Sequence, residues 1–278
     1  MRNIKIVADS ACDLFGLEHA SFACAPLKII ASDKEFIDDK DLDVDSLVSF
    51  MDQYKGKSKS SCPNVNDWLT AFGDADDIFC VTITSGLSGS YNAACSAKQI
   101  YESEHKGSRV FVVDSLSAGP EITLLVKKLD ECVEKNMSYE DICDTITAYK
   151  QTTGLCFMLK SLKTFASNGR VSPLVAKAIG VLGICIVGKA SDEGTLEPKH
   201  KCRGEQNSLE ALTDLLGTEG FRSGKVSIGH CQNEEAAQKL KELILEKYEQ
   251  AVVEIHKLKG LCSFYAEKGG ILVGFEKK

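Results

Sequence analysis

Apolar residues along this chain fall into short continuous runs separated by amphipathic stripes. Ile4–Ala8, Ile78–Thr84 and Val110–Val113 are apolar or β-branched runs, ending at Asp9-Ser10, Ser85 and Asp114-Ser115. Runs of this length suit parallel strands covered on both faces. Between them the spacing changes to a helical one. Ser88–Glu104 places Ala94, Ala97 and Tyr101 on one face, and the segment after Pro120 carries Ile122, Leu125, Val126 and Leu129 at i, i+3, i+4, i+7. Ser138 with Asp141 resembles a capping box opening a helix over Tyr139–Tyr149. Alternating βα units of this kind predict an α/β domain with a mainly parallel sheet.

Past Gln151 the texture changes. Gly154–Leu159 is apolar, Leu162–Val171 reads as polar loop, and Ala178–Val187 is apolar with Gly180 and Gly183 inserted. Thr195–Arg203 alternates weakly, as a strand. Ser208–Leu216 reads as a helix closed by Gly217 as its C′ residue. Lys225–His230, Asn233–Gln250 and Val252–His256 read as strand, helix capped by Asn233, and strand. Gly270–Phe275 is a final short strand. The expected organisation is an N-terminal α/β domain over residues 1–150 and a C-terminal α/β domain with a mixed sheet over residues 151–278.

Composition is consistent with this picture. A chain of 278 residues with 44% apolar content is globular, and its length suits two domains of about 100–150 residues each. The net charge of −7 argues against non-specific nucleic-acid binding. No stretch approaches the roughly 20 apolar residues needed to span a bilayer. The N-terminus opens on a strand and lacks the apolar core of a signal peptide, so a cytoplasmic protein is expected. The twelve cysteines are never closer than eleven residues, leaving no CxxC pair. Several sit in apolar runs, where a free thiol packs as a small hydrophobe. The five histidines, at 19, 105, 200, 230 and 256, show no metal-ligand spacing, and neither a metal nor a cofactor is expected.

Candidate chemistry lies where strands end. Ligands in open parallel sheets sit beyond the carboxyl ends of the strands. Thr84-Ser85-Gly86-Leu87-Ser88-Gly89-Ser90-Tyr91 joins a strand to a helix, with two glycines for tight backbone and hydroxyls as neutral donors. Such a join suits a carboxylate or phosphate at the helix start. It equally suits Ser88 as a plain helix cap. Ser58–Asn64, with Ser60, Ser61 and Cys62, precedes a helix carrying Trp68 and Phe72, and by itself reads as a cap. Gly86–Ser90 falls one residue short of the G-x-S-x-G nucleophile elbow, because Ser90 occupies the last glycine position. A serine hydrolase or acyl transferase using Ser88, with His230 as its base, is therefore one alternative. A binder of another small anionic metabolite is a second.

These elements, in this order, resemble the DegV family of bacterial fatty-acid-binding proteins along nearly the whole chain. Asp9-Ser10 with Asp13-Leu14 matches D-S-x-x-D-L. Pro26-Leu27 and Phe36-Ile37-Asp38 match the strand and turn that follow. Ser60-Ser61-Cys62-Pro63 stands at T-S-Q-P, Thr84–Tyr91 is close to S-S-x-L-S-G-T-Y, and Val113-Asp114-Ser115 matches V-D-S. Asn168-Gly169-Arg170-Val171-Ser172 resembles G-G-R-I-S, and Arg203-Gly204 lies at R-G. The resemblance implies two α/β domains with one long-chain fatty acid between them. It assigns the carboxylate to hydroxyls at Ser60 or Ser61 and Ser88, with Ser85 and Gly89 beside them. It also implies a carrier that catalyses nothing alone and presents the acid to a separate fatty acid kinase, which makes acyl phosphate for phospholipid synthesis. Arg170 and Arg203 match arginines suited to phosphate or to that partner. The chain departs from the family at its end: Tyr265 stands at the position of a histidine in H-x-G-P-G and retains a hydroxyl for the carboxylate. Cys62 replaces Gln, Ser60 replaces Thr, and Glu205-Gln206-Asn207 stand where basic residues follow R-G.

Overall fold

The computed structural model describes residues 2–171 and 183–278. Ser172 of the arginine motif and residues 178–182 of the apolar run lie outside the described residues. The three apolar runs are β1 (Ile4–Asp9), β6 (Asp77–Thr82) and β7 (Arg109–Asp114). With β2 (Ser21–Ala25) they form a four-stranded sheet in the order β2-β1-β6-β7, parallel throughout. Every residue of β6 is buried, as expected of a central strand between helical layers.

A three-stranded antiparallel sheet is set beside it: β3 (Lys28–Ala31), β4 (Lys34–Ile37) and β5 (Ser58–Ser61), with β3 central. Helix α1 spans Val44–Gln53, and α2 spans Val65–Phe72. The α2 cap is Asn64, closed into a capping box with Asp67, while Ser58–Ser61 is a strand. The serines of this segment therefore do not cap the helix.

Helix α3 (Ser90–Glu104) starts two residues later than its periodicity suggests, after the cap at Gly89. Helix α4 (Pro120–Glu134) has Pro at its first position, and α5 (Tyr139–Gln151) is capped by Ser138. Ile122, Leu124, Leu125, Val126 and Leu129 of α4 are all buried. A helix buried on nearly all sides is sandwiched, and α4 packs against β1 and β6 on one side and β11 and β13 on the other.

The remaining strands are β8 (Thr153–Leu159), β9 (Ile184–Ala190), β10 (Leu196–Arg203), β11 (Gly224–His230), β12 (Ala251–Lys257) and β13 (Ile271–Glu276). They form one mixed sheet, β10-β9-β8-β13-β11-β12, in which only β11 and β12 pair in parallel. Helices α7 (Glu205–Thr218) and α8 (Glu234–Lys247) share a core with it. Two readings change here. The polar stretch 162–171 contains a short helix, α6 (Lys163–Ser167). Gly217 lies inside α7 instead of ending it, and a side chain there would collide with the Tyr248 hydroxyl. Gly220, at φ +101°, follows the helix end. The last helix, α9 (Gly260–Ala266), is fully buried. The largest apolar cluster is continuous from Ile6 and Phe79 through Leu125 to Phe157 and Leu261, joining elements of both halves.

The cysteines are buried or half-buried and none is paired. No described helix is long and apolar enough to cross a membrane. Among the described residues no group of three His, Cys, Asp or Glu side chains is arranged to hold a metal.

Candidate functional site

The loop after β6 is fixed from below by the last residue of β1. Asp9 is fully buried, and its Oδ2 accepts from Ile83 N at 2.9 Å and Ser90 Oγ at 2.6 Å. These donors bracket Thr84–Gly89, so one carboxylate sets both ends of the loop. Burial pushes the Asp9 carboxyl up to about 7, against the pull of the Ser90 and Ile83 bonds. Within the loop, Thr84 N donates to Ser117 O at 2.9 Å and Gly86 N to Thr84 Oγ1 at 3.1 Å. Ser88 Oγ accepts the Ser90 N–H at 3.3 Å and also lines a cavity. The cap of α3 is the Gly89 backbone, so the Ser88 hydroxyl supports the turn before the helix and lines the cavity without capping. A hydroxyl that accepts one bond still has its own hydrogen to donate.

The facing wall comes from β5 and α9. Successive side chains of a strand point to opposite faces; Ser60 lines the cavity, and Ser61 does not. Ser60 Oγ lies 2.8 Å from Tyr265 Oη. The Tyr265 ring packs on Phe165, centroids 4.8 Å apart, and on Phe264 at 4.9 Å. The Arg170 guanidinium sits 5.1 Å from the Tyr265 ring centroid, and its Nε donates to Leu87 O at 2.9 Å. Arg170 therefore ties the Ser88 loop to the tyrosine. Burial raises the Tyr265 phenol above its usual range, although Ser60 and Arg170 pull the other way. At neutral pH Tyr265 is a neutral donor beside one cation.

The rest of the cavity wall is mostly apolar and includes Ile83, Leu155, Phe157, Leu196, Leu261 and Leu272, with about 760 Å³ of empty space including its mouth and the solvent there. The turn between β9 and β10 closes one side. Gly194, at φ +72°, presses so near Thr84 Oγ1 and the Leu116 carbonyl that no side chain fits there.

Ser60, Tyr265 and Arg170 are thus joined by direct contacts, Arg170 reaches the carbonyl of Leu87 next to Ser88, and all four line one cavity. The other candidates lie elsewhere. Ser85 is exposed, with its N–H on Asp114 Oδ1 at 3.0 Å. Gly89 is exposed and caps α3 through its backbone. Arg203 is exposed at the end of β10, outside the cavity lining. His230 lies in a different cleft, beside Asp45 and Lys257, and its Nδ1 accepts from Asn233 N at 3.2 Å. It is not a base for Ser88. Among the described residues the cavity wall carries no His, Asp or Glu.

Thr84 and Ser117 also line the cavity and were not singled out by the sequence. Neither was the burial of Asp13 and Asp38. Their carboxyls are pushed up to about 8 and about 6 by burial, opposed mainly by backbone N–H donors at the start of α9. The sequence signal for all three acids was their place in the D-S-x-x-D-L and F-I-D motifs.

The DegV family model matches residues 3–278 of this chain. A DegV domain-containing protein of Streptococcus pneumoniae is 43% identical over 276 residues, covering 98% of both chains. One from Streptococcus pyogenes is 42% identical over 98% of this chain and 99% of its own. Among solved structures, a DegV family protein from Eubacterium eligens loaded with heptadecanoic acid is similar at TM-score 0.96 and 44% identity, covering 99% of this chain and 100% of that one. The Streptococcus pneumoniae fatty acid kinase B3 protein loaded with linoleic acid is similar at TM-score 0.97 and 42% identity, with the same coverage.

Proposed function

The chain belongs to the DegV family, and from that premise we propose that it binds one long-chain fatty acid, with the carboxylate at the Ser60–Ser88–Tyr265 end of the cavity and the acyl chain along its apolar walls. One observation carries this reading: the hydroxyls of Ser60, Ser88 and Tyr265 and the Arg170 guanidinium line one cavity, Tyr265 in contact with both Ser60 and Arg170, and the remaining lining is mostly apolar. Hydroxyl donors stabilise a buried carboxylate by hydrogen bonding, and Arg170 adds the compensating charge. Each methylene transferred from water contributes about 0.8 kcal/mol, so the chain supplies affinity and the hydroxyls fix orientation. Residues 1–150 then carry Ser60 and Ser88, and residues 151–278 bring Arg170 and Tyr265 to complete the site.

The protein acts as a carrier. The described cavity residues include no His, Asp or Glu to activate Ser88, which disfavours a hydrolase using it as nucleophile. The similarity to a fatty acid kinase B protein supports presentation of the carboxylate to a separate kinase. The apolar walls favour a lipid over a small polar metabolite. Titrating long-chain fatty acids into the delipidated protein tests the site. Ser88→Ala is expected to weaken binding by about 1–3 kcal/mol, the cost of an unsatisfied buried partner. Unchanged affinity would move the carboxylate elsewhere.

A further inference from the structure

Helix α9 carries Tyr265 to the cavity, yet nothing local explains why it forms. It has seven residues, and its cap position, Lys259, makes no side-chain cap bond. A helix this short is not stable alone, and its first N–H groups need partners from outside. Those partners are two carboxylates more than two hundred residues away in sequence. Lys259 N donates to Asp13 Oδ1 at 2.8 Å. Gly260 N and Leu261 N donate to the two oxygens of Asp38 at 2.7 and 2.8 Å. Asp38 is 0% exposed and Asp13 4% exposed. With both oxygens engaged, Asp38 fixes the direction of the first turn as well as its position.

Asp38 is also tied to the opposite wall. Its own N–H donates to Leu27 O at 2.9 Å, just before β3. In β3, Ile29 pairs directly with Ser60 of β5. A closed circuit results: Asp38 holds the start of α9, α9 carries Tyr265 in its last turn, Tyr265 bonds Ser60, and Ser60 returns through β5 and β3 to Asp38. Gly260 permits the close approach, since a Cβ there would lie 2.5 Å from Asp38 Oδ1.

We propose that Asp38, assisted by Asp13, is a positioning residue for the carboxylate site, setting the Tyr265 hydroxyl against Ser60 by clamping the start of α9. Asp38 acts through Tyr265 and does not touch the fatty acid. This inference rests on the fatty-acid reading of the cavity for its binding readout alone.

The test is a double-mutant cycle read by calorimetric titration with a long-chain fatty acid. Asp38→Asn keeps one acceptor and is expected to weaken binding about tenfold, the loss of one charge-assisted bond. In a Tyr265→Phe background the same change is expected to cost less than about twofold, because the group it positions is gone. An equal cost in both backgrounds, or none in either, overturns the proposal. Gly260→Ala leaves the Asp38 charge intact while wedging it off the helix, and is expected to reproduce the pattern; it carries the cycle if Asp38→Asn does not fold. A readout without lipid separates this inference from the binding reading. In protein labelled at the tyrosine Cζ carbons, the Tyr265 resonance is expected to shift in Asp38→Asn and Gly260→Ala before any ligand is added. A protein that binds no fatty acid but shows this shift defeats the binding reading alone. A resonance that stays in place in both variants defeats the positioning role.

Discussion

Two serine-rich segments, Ser58–Ser61 and Ser85–Ser90, look alike in sequence and each delivers one hydroxyl to the cavity by a different route. In the first, β-strand alternation selects Ser60 and turns Ser61 away. In the second no periodicity operates. A loop pinned at Ile83 and Ser90 by the single Asp9 carboxylate leaves Ser88 on the wall and Ser85 in solvent. A strand therefore chooses its functional side chain by register, whereas a loop needs a buried anchor. The second arrangement concentrates its dependence on one residue.

The largest expected effect follows from that dependence. Asp9→Ala removes the shared acceptor of Ile83 N and Ser90 Oγ from a fully buried site, and is expected to destabilise the fold by about 3 kcal/mol. Urea denaturation measures this. Ser60 is held by the pairing of β5 with β3 and not by a buried carboxylate, so Ser60→Ala is expected to leave stability nearly unchanged while weakening fatty-acid affinity by about 2 kcal/mol. Equal stability losses in the two variants would erase the distinction.

A pH series sharpens it further. Asp9, Asp13 and Asp38 are held above the ordinary carboxylate range, at about 7, about 8 and about 6. Each binds its proton more tightly folded than unfolded, so its stabilisation is complete below pH of about 4 and is lost as pH rises through the raised values. Asp9→Asn deletes one such titration. The fall in melting temperature between pH of about 4 and 7 is expected to become shallower than in the parent protein. An unchanged slope would mean that Asp9 does not titrate there. The smallest effects belong to the serines that register and loop geometry turn outward: Ser61→Ala and Ser85→Ala are each expected within about 0.5 kcal/mol in stability and in affinity.

The same contrast explains what the sequence made legible. β1, β6 and β7 announce themselves as apolar runs, most clearly in β6, which is buried along its whole length, whereas β7 at the sheet edge is largely half-buried. Ser58–Ser61 carries no apolar pattern at all; its strand character comes from pairing with β3, a tertiary fact. Helix α9 was missed because all its residues are buried, leaving no amphipathic contrast, and because its capping groups are Asp13 and Asp38 instead of a neighbouring side chain. Ser88 and Ser60 were accessible through the loop chemistry and the family motifs. Choosing Ser60 over Ser61 required the strand register. The role of Arg170 in joining Leu87 to Tyr265 required three-dimensional proximity that its motif does not encode.

The most direct test of the central claim is native mass spectrometry of the protein purified from a heterologous host, followed by extraction of any ligand. The account predicts a discrete adduct with the mass of one long-chain fatty acid, released on denaturation and restored when the delipidated protein is offered that acid. A protein that emerges empty and takes up no long-chain fatty acid would contradict it.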